Sequence, residues 1–561
     1  MKRINPLIII AIIAIASALF FLLRPSDNKV EKETIDDMVV MYIDGKQLIE
    51  KSGLAEHFSE DNRRFIASLA TGTMEHSEHI ISIAVNPDNS GLWFSRPIYA
   101  YANPNEKNEF DIVAIIEVND INRLDTTMQL LDSIAESEGV VFDLKQTGDT
   151  RYVSLEGIEC GYNKSHLALA ISESKATTLL QATLTRPLSD LSTFEGHDAA
   201  VYINLHKLLD NNLKQTTERI AALKENIANN TLSYEVELYK AQIAPLEEQL
   251  SRLQNMYSTL NNDASLLTTL NFEEGCIRLT TNCNGVALPT DLIREANNTH
   301  LSYIDEEVIA IANYGVNGKS LAQIIGGNIP TDMASMLGIG RNEFNMGLQI
   351  ALDAVSSING DITIALNALD GGIQERYNSY RRQNYKSIEV ENIKALLITD
   401  VDDSYIFDNI NRFGGNIINH NEDGSLSLSI AKNIKLNAGQ SDNLFYTGIN
   451  TTLTDSPNPA TRTKWFNNVN HSYGYTVLNI NSMLYSSYID ATYNDWLKTL
   501  SKSDAELMRD IISSLDYAYH RLDKDYTNEL VLVFKNRDVN TLKQLTDLFI
   551  PYTMQQAKFQ F

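Results

Sequence analysis

The stretch Val40-Met-Tyr-Ile-Asp-Gly-Lys-Gln-Leu48 decides how this 561-residue chain is interpreted, because it joins two kinds of secondary structure within a few residues. The apolar run up to Ile43 is typical of a buried β-strand. Asp44 follows, and its carboxylate can accept hydrogen bonds from the first free amides of a helix. The stretch therefore predicts a strand that ends at the N-cap of a helix.

The same strand-to-cap element recurs at three further places in the chain. They are Ala200-Val-Tyr-Ile-Asn-Leu-His-Lys-Leu208, Ala312-Asn-Tyr-Gly-Val-Asn-Gly-Lys-Ser-Leu321 and Thr476-Val-Leu-Asn-Ile-Asn-Ser-Met-Leu484. In each, an apolar run ends at Asn, and a Leu or Met follows four positions later. Recurrence of one local pattern indicates an internal repeat.

Two other elements also recur, in the same order. A strand that ends at Asp before a helix is found in Ile115-Ile-Glu-Val-Asn-Asp-Ile-Asn-Arg-Leu124, Val533-Phe-Lys-Asn-Arg-Asp-Val-Asn-Thr-Leu542 and, more loosely, Ile398-Thr-Asp-Val-Asp-Asp-Ser-Tyr-Ile-Phe407. A hairpin-like stretch, Ile158-Glu-Cys-Gly-Tyr-Asn-Lys-Ser165, is echoed by Ile434-Lys-Leu-Asn-Ala-Gly-Gln-Ser441. Corresponding positions lie 273, 283, 276 and 275 residues apart, which agrees within the length of a loop. A tandem duplication is predicted, with copies at residues 38–290 and 305–561.

The predicted fold class is α+β, with a mostly antiparallel sheet in each copy and helices on one face. Short stretches with period-two alternation, such as Ile81-Ser-Ile-Ala-Val85 and Leu426-Ser-Leu-Ser-Ile430, are interpreted as strands between the helices. The strand-to-cap element opens both the first and the second part of each copy, so each copy divides near its middle.

A helical hairpin is predicted as an insertion at about residues 208–266. Apolar residues with alternating spacings of three and four are typical of a coiled coil; they are Ile220, Leu223, Ile227, Leu246, Leu250, Leu253, Tyr257 and Leu260. Asn229-Asn230-Thr231 is the expected turn, and Pro245 is expected to break or restart the second helix. The hairpin is a candidate contact for an envelope protein partner, or its helices simply pack on each other or on the sheet.

The N-terminus carries an uninterrupted apolar run, Leu7-Ile-Ile-Ile-Ala-Ile-Ile-Ala-Ile-Ala-Ser-Ala-Leu-Phe-Phe-Leu-Leu23, preceded by Lys2 and Arg3. This predicts a transmembrane signal anchor at residues 1–24 and a polar linker at 25–37, with the rest in the periplasm or another extracytoplasmic space. The alternative is a cleaved signal peptide, since Ala16-Ser17-Ala18 fits the cleavage pattern. Lipid modification is excluded, because the first cysteine is Cys160.

Composition excludes several function classes. The formal net charge of −26 argues against nucleic-acid partners, which require clustered Lys and Arg. The three cysteines, Cys160, Cys276 and Cys283, are too few and too scattered for a disulfide framework or a zinc site. A bridge between Cys276 and Cys283 stays open as an alternative to two buried thiols.

Three groups of residues are candidates for phosphate or metal binding. Gly318-Lys319-Ser320 lacks the glycine spacing of a phosphate-binding loop and aligns with a helix start in the first copy. Glu75-His76-Ser77-Glu78-His79 lacks the zinc-protease order and is expected in a solvated loop. The acids at equivalent strand ends are Asp120, Asp402, Asp403 and Asp538; they are expected to cap helices, with calcium binding as the alternative.

No nucleophile elbow of the Gly-x-Ser-x-Gly kind is present either. The sequence therefore assigns no catalytic, cofactor-binding or metal-binding residue, and no cofactor.

Taken together, the membrane-targeting start, the length, the repeated strand-to-cap element and the Asn- and Tyr-rich composition resemble an uncharacterised cell-envelope family of Bacteroidota, of the domain of unknown function 4836 type. Many members look like lipoproteins, and this chain departs from them by lacking the lipid-accepting cysteine. The resemblance implies an envelope location and carries over no catalytic residue.

The leading hypothesis is a non-enzymatic, membrane-anchored binding or scaffold protein. It rests on the duplicated sheets and on the lack of an active-site signature in the sequence. One alternative is an envelope hydrolase with a site between the two copies. Another is a carrier of lipid or another ligand, which would need a long apolar groove.

Overall fold

The computed structural model describes most of the chain in segments. They are residues 37–57, 60–61, 63–64, 77–104, 110–137, 143–155, 158–171, 180, 183–184, 192–229, 233–286, 291–328, 340–378, 383–431 and 433–558. The chain forms two compact units. The first contains the described residues up to Glu273 together with Arg278–Leu288 and Asn540–Ile550; the second contains Glu274–Ile277, Pro289–Val539 and the residues from Pro551 onward. Residues 291–304, between the two predicted copies, thus belong to the second unit.

The first unit is an antiparallel sheet with helices between its strands. Its strands are β1 (Val39–Asp44), β2 (Pro97–Pro104), β3 (Phe110–Glu117), β4 (Asp143–Thr147), β5 (Thr150–Leu155), β6 (Ile158–Tyr162), β7 (His166–Ile171), β8 (Ala199–Asn204), β9 (Leu260–Glu273) and β10 (Cys276–Val286). Its helices are α1 (Gly45–Ser52), α2 (Leu54–His57), α3 (Ser77–Val85), α4 (Ile121–Ser137), α5 (Leu205–Asn229) and α6 (Ser233–Ser258). The strand order is β4-β5-β6-β7-β3-β2-β1-β8-β9-β10.

The second unit is also an antiparallel sheet with interspersed helices. Its strands are β11 (Ile293–Arg294), β12 (Ala310–Asn317), β13 (Ile358–Asn378), β14 (Gln383–Val401), β15 (Asn419–His420), β16 (Leu426–Ala431), β17 (Ile434–Ser441), β18 (Leu444–Ile449), β19 (Gly474–Asn479), β20 (Leu515–Leu522) and β21 (Asn528–Phe534). Its helices are α7 (Gly318–Asn328), α8 (Arg341–Ser356), α9 (Tyr405–Gly414), α10 (Phe466–Val469), α11 (Ile480–Tyr485), α12 (Ser487–Leu497) and α13 (Lys502–Ser514). The strand order is β15-β16-β17-β18-β14-β13-β12-β19-β20-β21, with β11 beside β12. A final helix, α14 (Thr541–Lys558), follows β21.

The four predicted strand-to-cap elements are confirmed by their hydrogen bonds. The backbone amides that donate to the capping side chains are Gln47 to Asp44 (2.9 Å), Lys207 to Asn204 (2.9 Å), Lys319 to Asn317 (3.1 Å) and Ser482 to Asn479 (3.2 Å). Each cap satisfies an amide at the first turn of a helix that would otherwise lack a partner. The local sequence therefore fixes where these four helices begin.

The acids at the other strand ends behave less uniformly. Asp120 accepts from the amide of Asn122 at 2.9 Å where α4 begins, and Asp403 accepts from that of Tyr405 at 3.0 Å where α9 begins. The capping prediction for Asp538 is wrong. Because α14 begins only at Thr541, its start is served by Asn540, which accepts from the Leu542 amide at 2.9 Å.

Asp402 is the second exception among these acids. Its carboxylate accepts from the Asn359 side-chain amide at 2.7 Å rather than from a helix amide. Asp402 directly follows β14, and the adjacent Asp403 serves α9 instead.

Two long helices, α5 and α6, lie in the predicted hairpin region. They share a small core of Ile220, Leu223 and Ile243, with Leu246 and Leu250 packed against it. Pro245 was expected to break the second helix, but it lies inside α6, which continues past it. We attribute this to the apolar packing between the two helices, which offsets the backbone hydrogen bond that proline removes.

The second helix of the hairpin is shorter than the apolar spacing predicts. Leu260 begins strand β9 instead of continuing the helix. Helix α6 ends at Ser258, so the three-residue spacing from Tyr257 to Leu260 joins the end of a helix to the start of a strand. The β9 strand that Leu260 begins pairs with β8 further along, from Ser265 to Leu270, a pairing that local spacing does not report.

One predicted strand is wrong. The stretch from Ile81 to Val85 belongs to helix α3, whereas Leu426 to Ile430 lies in strand β16 as predicted. A short apolar run fits a buried strand and a helix face equally well. Here the helix brings the His79 ring within 2.9 Å of the Thr127 hydroxyl on α4, a contact that local sequence does not encode.

The three cysteines are free thiols. Cys276 and Cys283 lie in the same extended strand, β10, so a separation of roughly 20 Å keeps them from bridging. Burial raises the pKa of Cys160 to about 12 and that of Cys283 to about 11. These two thiols are therefore protonated and poor nucleophiles at neutral pH.

Among the described residues, no helix combines the length and the apolar character needed to cross a membrane. The predicted anchor at residues 7–23 lies outside the described residues.

The largest apolar cluster of the second unit lies on one face of its sheet. Strand residues such as Ile311, Ile398 and Val477 pack there against the segments that precede β12 and β19, including Leu301 and Trp465. These segments contain short 3-10 turns rather than long helices. Packing on this face therefore fixes two irregular segments against the sheet.

In the first unit, an ion pair between a buried aspartate and a partly exposed lysine offers a test of the fold. Both carboxylate oxygens of Asp198, which is 0% exposed, lie 2.7 Å from Lys51 Nζ, and the Phe272 amide donates to Asp198 at 2.7 Å. We expect Asp198→Asn to lower the free energy of unfolding by about 2 kcal/mol, because the Lys51 ammonium loses its counter-charge. Urea unfolding followed by circular dichroism measures the change.

The matched control is Glu50→Gln, which breaks an exposed pair with Lys46 at 3.9 Å. It should leave the unfolding midpoint unchanged, because exposed pairs contribute little. Equal midpoints for the two variants would contradict a structural role for the pair of Asp198 and Lys51.

Candidate functional site

A cavity of about 850 Å³ in the second unit is the candidate functional site. Its walls come from five parts of the chain: the turn before β12 (Glu306, Glu307, Ile309), the middle of β13 (Asn367, Ala368, Leu369, Asp370), the segment before α10 (Arg462, Thr463, Lys464, Trp465), the region from β19 to α12 (Asn479, Asn481, Ser482, Tyr485, Ser486) and the start of β20 (Asp516, Tyr517). The volume lies within the range of small-molecule sites.

The cavity forms where β13 outlasts its neighbour β12. The two strands pair from Asn359 to Leu366, and the Ile309 amide donates to the Leu366 carbonyl at 2.9 Å just before β12 begins. Immediately beyond, the register of β13 with β14 shifts between Leu366 and Ala368, which is a β-bulge. The regular strand register is therefore interrupted at the cavity wall.

Beyond that point, two serines beside the cavity form hydrogen bonds with backbone groups of β13. The Ser486 hydroxyl donates to the Leu369 carbonyl, and the Gly371 amide donates to the Ser487 hydroxyl at 3.0 Å. Ser486 also caps α12 by accepting from the Ile489 amide at 3.3 Å. Helices α11 and α12 are thus fixed where a neighbouring strand would otherwise lie.

Two polar atoms of the cavity walls are buried without a partner in the part of the chain that the structure describes. They are Nε1 of Trp465, a side chain that is 2% exposed, and Oδ1 of Asn367. A buried polar group without a hydrogen bond costs about 1–3 kcal/mol, so folded proteins retain few of them. Both residues line the same cavity, but the two atoms themselves are not accessible to solvent in this structure.

Other polar groups hold the walls in place. Asp516 accepts from Asn481 at 2.6 Å and from Arg537 at 2.7 Å. Asp370 accepts from the Asn392 amide group at 3.0 Å. These two carboxylates are therefore engaged in bonds within the protein.

Four further side chains of the lining are uncommitted. Glu306, Glu307, Lys464 and Tyr485 make no side-chain hydrogen bond or ion pair with the described residues, and Tyr485 is 88% exposed. The cavity thus offers two carboxylates, one ammonium group and one aromatic ring to a ligand. Its walls thus combine carboxylates that are bonded within the protein, Asp370 and Asp516, with the exposed side chain of Tyr485.

A buried polar network supports the Trp465 wall from beneath. The Asp361 carboxylate, 0% exposed, accepts from the backbone amides of Asn297 at 3.0 Å and Asn298 at 2.9 Å. The Tyr475 hydroxyl donates to Asn298 Oδ1 at 2.9 Å, and the ring of Tyr475 lies 6.4 Å from that of Trp465. Burial raises the pKa of Tyr475 well above its usual value, so the phenol stays a donor.

His300 links the same network to β14. Its ring, 0% exposed, contacts the Thr363 hydroxyl at 2.8 Å and the Asp400 carboxylate at 3.2 Å. Asp400 also accepts from the Asp361 amide at 2.7 Å. Burial alone would raise the pKa of Asp400, but hydrogen bonds from His300 and the Asp361 amide, with the charges of His300 and Arg294, lower it overall.

The motifs weighed from the sequence lie elsewhere. Gly318 begins α7, and the neighbouring Ser320 hydroxyl donates to Asp291 at 2.7 Å. Glu75 and His76 lie outside the described residues, while His79 lies in helix α3 rather than in a loop.

None of the acids considered for calcium lines the cavity, and the described residues contain no group of three or more His, Cys, Asp or Glu that could hold a metal ion. Of the motifs singled out in the sequence, the strand-to-cap element that ends at Leu484 contributes to the cavity, through Asn479, Asn481 and Ser482; Asn479 is the predicted helix cap. Trp465 and Asn367 carry no sequence signal, because each is defined as a site residue only by neighbours from distant segments.

The Asp400 carboxylate provides a pH test of the network. Its folded pKa is lowered, so its stabilising contribution is present above its unfolded pKa of about 3.9 and is lost as the pH falls through the folded value. We expect Asp400→Asn to lower the free energy of unfolding at neutral pH. The difference in this free energy between the variant and wild type should narrow below about pH 4. Urea titrations across this range measure both variants.

The exposed Asp455 provides the matched control for that comparison. The difference in the free energy of unfolding between Asp455→Asn and wild type should not change with pH. A difference for Asp400→Asn that stays constant with pH would contradict the charge-based account.

Comparisons with known proteins complete the description of this site. No curated protein matches the chain. A crystal structure of TP0453 (crystal form IV) aligns with 44% of this chain and 76% of its own at 10% identity, with a TM-score of 0.20, which is too low to support an inference. A family model matches residues 34–542, most of the chain. The chain therefore belongs to the family described as domain of unknown function (DUF4836), in agreement with the resemblance found in the sequence.

Proposed function

We propose that this protein is a non-enzymatic binding protein of the cell envelope, and that the cavity of the second unit holds its ligand. The observation that carries the proposal is a cavity of about 850 Å³ that presents uncommitted polar side chains, and whose lining residues Trp465 and Asn367 each hold a buried polar atom without a partner among the described residues. Functional sites are where folded proteins tend to keep such unfavourable groups. Binding is favoured over pure scaffolding for this reason.

The state of the carboxylates favours binding over hydrolysis. Asp370 and Asp516 are engaged with Asn392, Asn481 and Arg537, which leaves them as parts of the wall. Glu306 and Glu307 are adjacent in sequence, whereas glycoside hydrolysis needs two carboxyl groups that flank the scissile bond. An envelope hydrolase remains the alternative that product analysis tests.

The body of the protein is proposed to be a tandem duplication in which the copies have diverged in function. The strand succession in the second unit repeats that of the first, strand for strand, which supports this proposal. The main difference follows the strand that opens the second half of each unit: β8 leads into α5 and α6, whereas β19 leads into α11, α12 and α13. The second copy then binds the ligand, and the α5–α6 hairpin of the first is a candidate contact for an envelope partner.

We further propose that residues 7–23 anchor the protein in a membrane, with the body outside the cytoplasm. The full chain should sediment with membranes and resist an alkaline carbonate wash, because roughly 17 apolar residues are enough for a short span. A variant lacking residues 1–24 is the control and should not be retained. N-terminal sequencing of the mature protein tests the alternative directly: a chain that begins at Leu19 would contradict the anchor.

Ligand binding in the cavity is testable through its own tryptophan. The chain has three tryptophans, so replacing Trp93 and Trp496 with Phe leaves Trp465 as the reporter. We expect a saturable change in its emission with at least one of two probe sets, short oligosaccharides or short peptides, and recovery of the probe unchanged. The control is Trp465→Phe in the otherwise natural chain, which reports signals from other sites.

Two outcomes would contradict the proposal in different ways. A flat titration with both probe sets would argue against ligand binding in this cavity. Cleavage of a bound probe, detected by chromatography, would replace the binding protein with the hydrolase.

A further inference from the structure

We infer that the ligand of this cavity is a neutral oligosaccharide. The inference rests on the proposed function and names the class of molecule that the cavity recognises. Four ligand classes can be compared with the groups on the cavity walls, namely anions, lipids, peptides and saccharides.

Charge disfavours phosphorylated and other anionic ligands. The walls carry four carboxylates against two cationic side chains, Arg462 and Lys464, and the whole chain has a net charge of −26. The Arg462 guanidinium is already turned to its own segment, where it donates to the Pro457 carbonyl at 3.3 Å and to Asn458 Oδ1 at 3.2 Å. An anion would enter a negative potential with one uncommitted cation, Lys464, to offset it.

Polarity disfavours an acyl chain or another lipid tail. Most of the lining side chains carry hydroxyl, amide or charged groups, and the apolar ones are Ile309, Ala368, Leu369 and the buried Trp465. An acyl chain in such a cavity would remove water from these polar groups without replacing its hydrogen bonds. The cavity therefore lacks the long apolar groove that a lipid carrier requires.

The backbone of β13 disfavours a peptide that binds as an added strand. Such binding needs free main-chain amides and carbonyls at a sheet edge. Here the Leu366 carbonyl accepts from Ile309, the Leu369 carbonyl from Ser486, and the Gly371 amide donates to Ser487. Recognition is therefore left to side chains.

A saccharide matches the groups that remain. Each sugar hydroxyl both donates and accepts, so hydroxyl groups can accept from the uncommitted Lys464 ammonium and donate to carboxylates of the wall. Glu306 and Glu307 supply further acceptors for hydroxyl groups. The exposed Tyr485 ring, at the rim, offers a flat apolar surface for the C–H face of a sugar.

Isothermal calorimetry on the full chain tests the inference, in a detergent that has no sugar headgroup. The probes are cellohexaose, chitohexaose and hexaglycine; the first two distinguish plain hydroxyl recognition from a contribution of the acetamido group. We expect saturable binding of at least one hexasaccharide and none of hexaglycine. Tyr485→Ala should weaken binding about tenfold, and Tyr485→Phe less than about threefold, because stacking needs the ring and not the hydroxyl.

A matched control and a second variant locate the binding. Tyr234→Ala removes another exposed tyrosine, 78% exposed on α6, and should leave the affinity unchanged. Lys464→Gln removes the uncommitted ammonium group of the wall, so it should weaken saccharide binding by up to about tenfold. Melting temperatures within about 2 °C of wild type show that the Tyr485 variants are folded, as expected for an exposed side chain.

The outcomes separate this inference from the proposed function. Binding of hexaglycine without either saccharide, with a change in Trp465 emission, would overturn the saccharide and keep the cavity as a binding site. Binding of none of the three probes, together with flat Trp465 emission, would count against both. Saccharide binding that Tyr485→Ala and Lys464→Gln leave unchanged would also overturn the inference, because the site would lie elsewhere.

Discussion

The hydrogen bond from the Ile309 amide to the Leu366 carbonyl marks the point on which the architecture of the candidate site depends. Up to this bond, β13 is an ordinary inner strand between β12 and β14; beyond it, β13 must satisfy its edge in another way. Backbone groups that are removed from water need partners, so side-chain hydroxyls of Ser486 and Ser487 replace the missing strand. The space between that replacement and the end of β12 is the cavity.

The polar core beneath the cavity explains how its irregular walls stay in place. Segments without regular structure leave their own amides unpaired, and the buried Asp361 carboxylate collects two of them, from Asn297 and Asn298. The same segment carries Leu301 into the apolar core that contains Trp465. A fully bonded network can be buried at acceptable cost, whereas the indole N–H of Trp465 beside it is buried without a partner among the described residues.

The two units illustrate how one strand succession accommodates different additions. Caps at Asp44, Asn204, Asn317 and Asn479 end the strands in the same chemical way, so the helices that follow can vary in length without disturbing the sheet. In the first unit the additions after β8 are two long helices with their own small core. In the second unit the additions after β19 form the cavity wall, which explains why recognition is proposed for that unit.

The sequence by itself determined the α+β class, the four strand-to-cap junctions and the family, because each of these rests on neighbours a few residues apart or on the succession of such patterns. It misassigned Ile81 to Val85 and the role of Pro245, since a short apolar run and a proline are decided by what packs against them. Only the tertiary structure decided the site. Asn298 and Tyr475 are 177 residues apart, and Asn367 and Trp465 line one cavity where β13 continues beyond the end of β12. Pairings over such distances follow from sheet register and from the burial of polar groups, neither of which local spacing records.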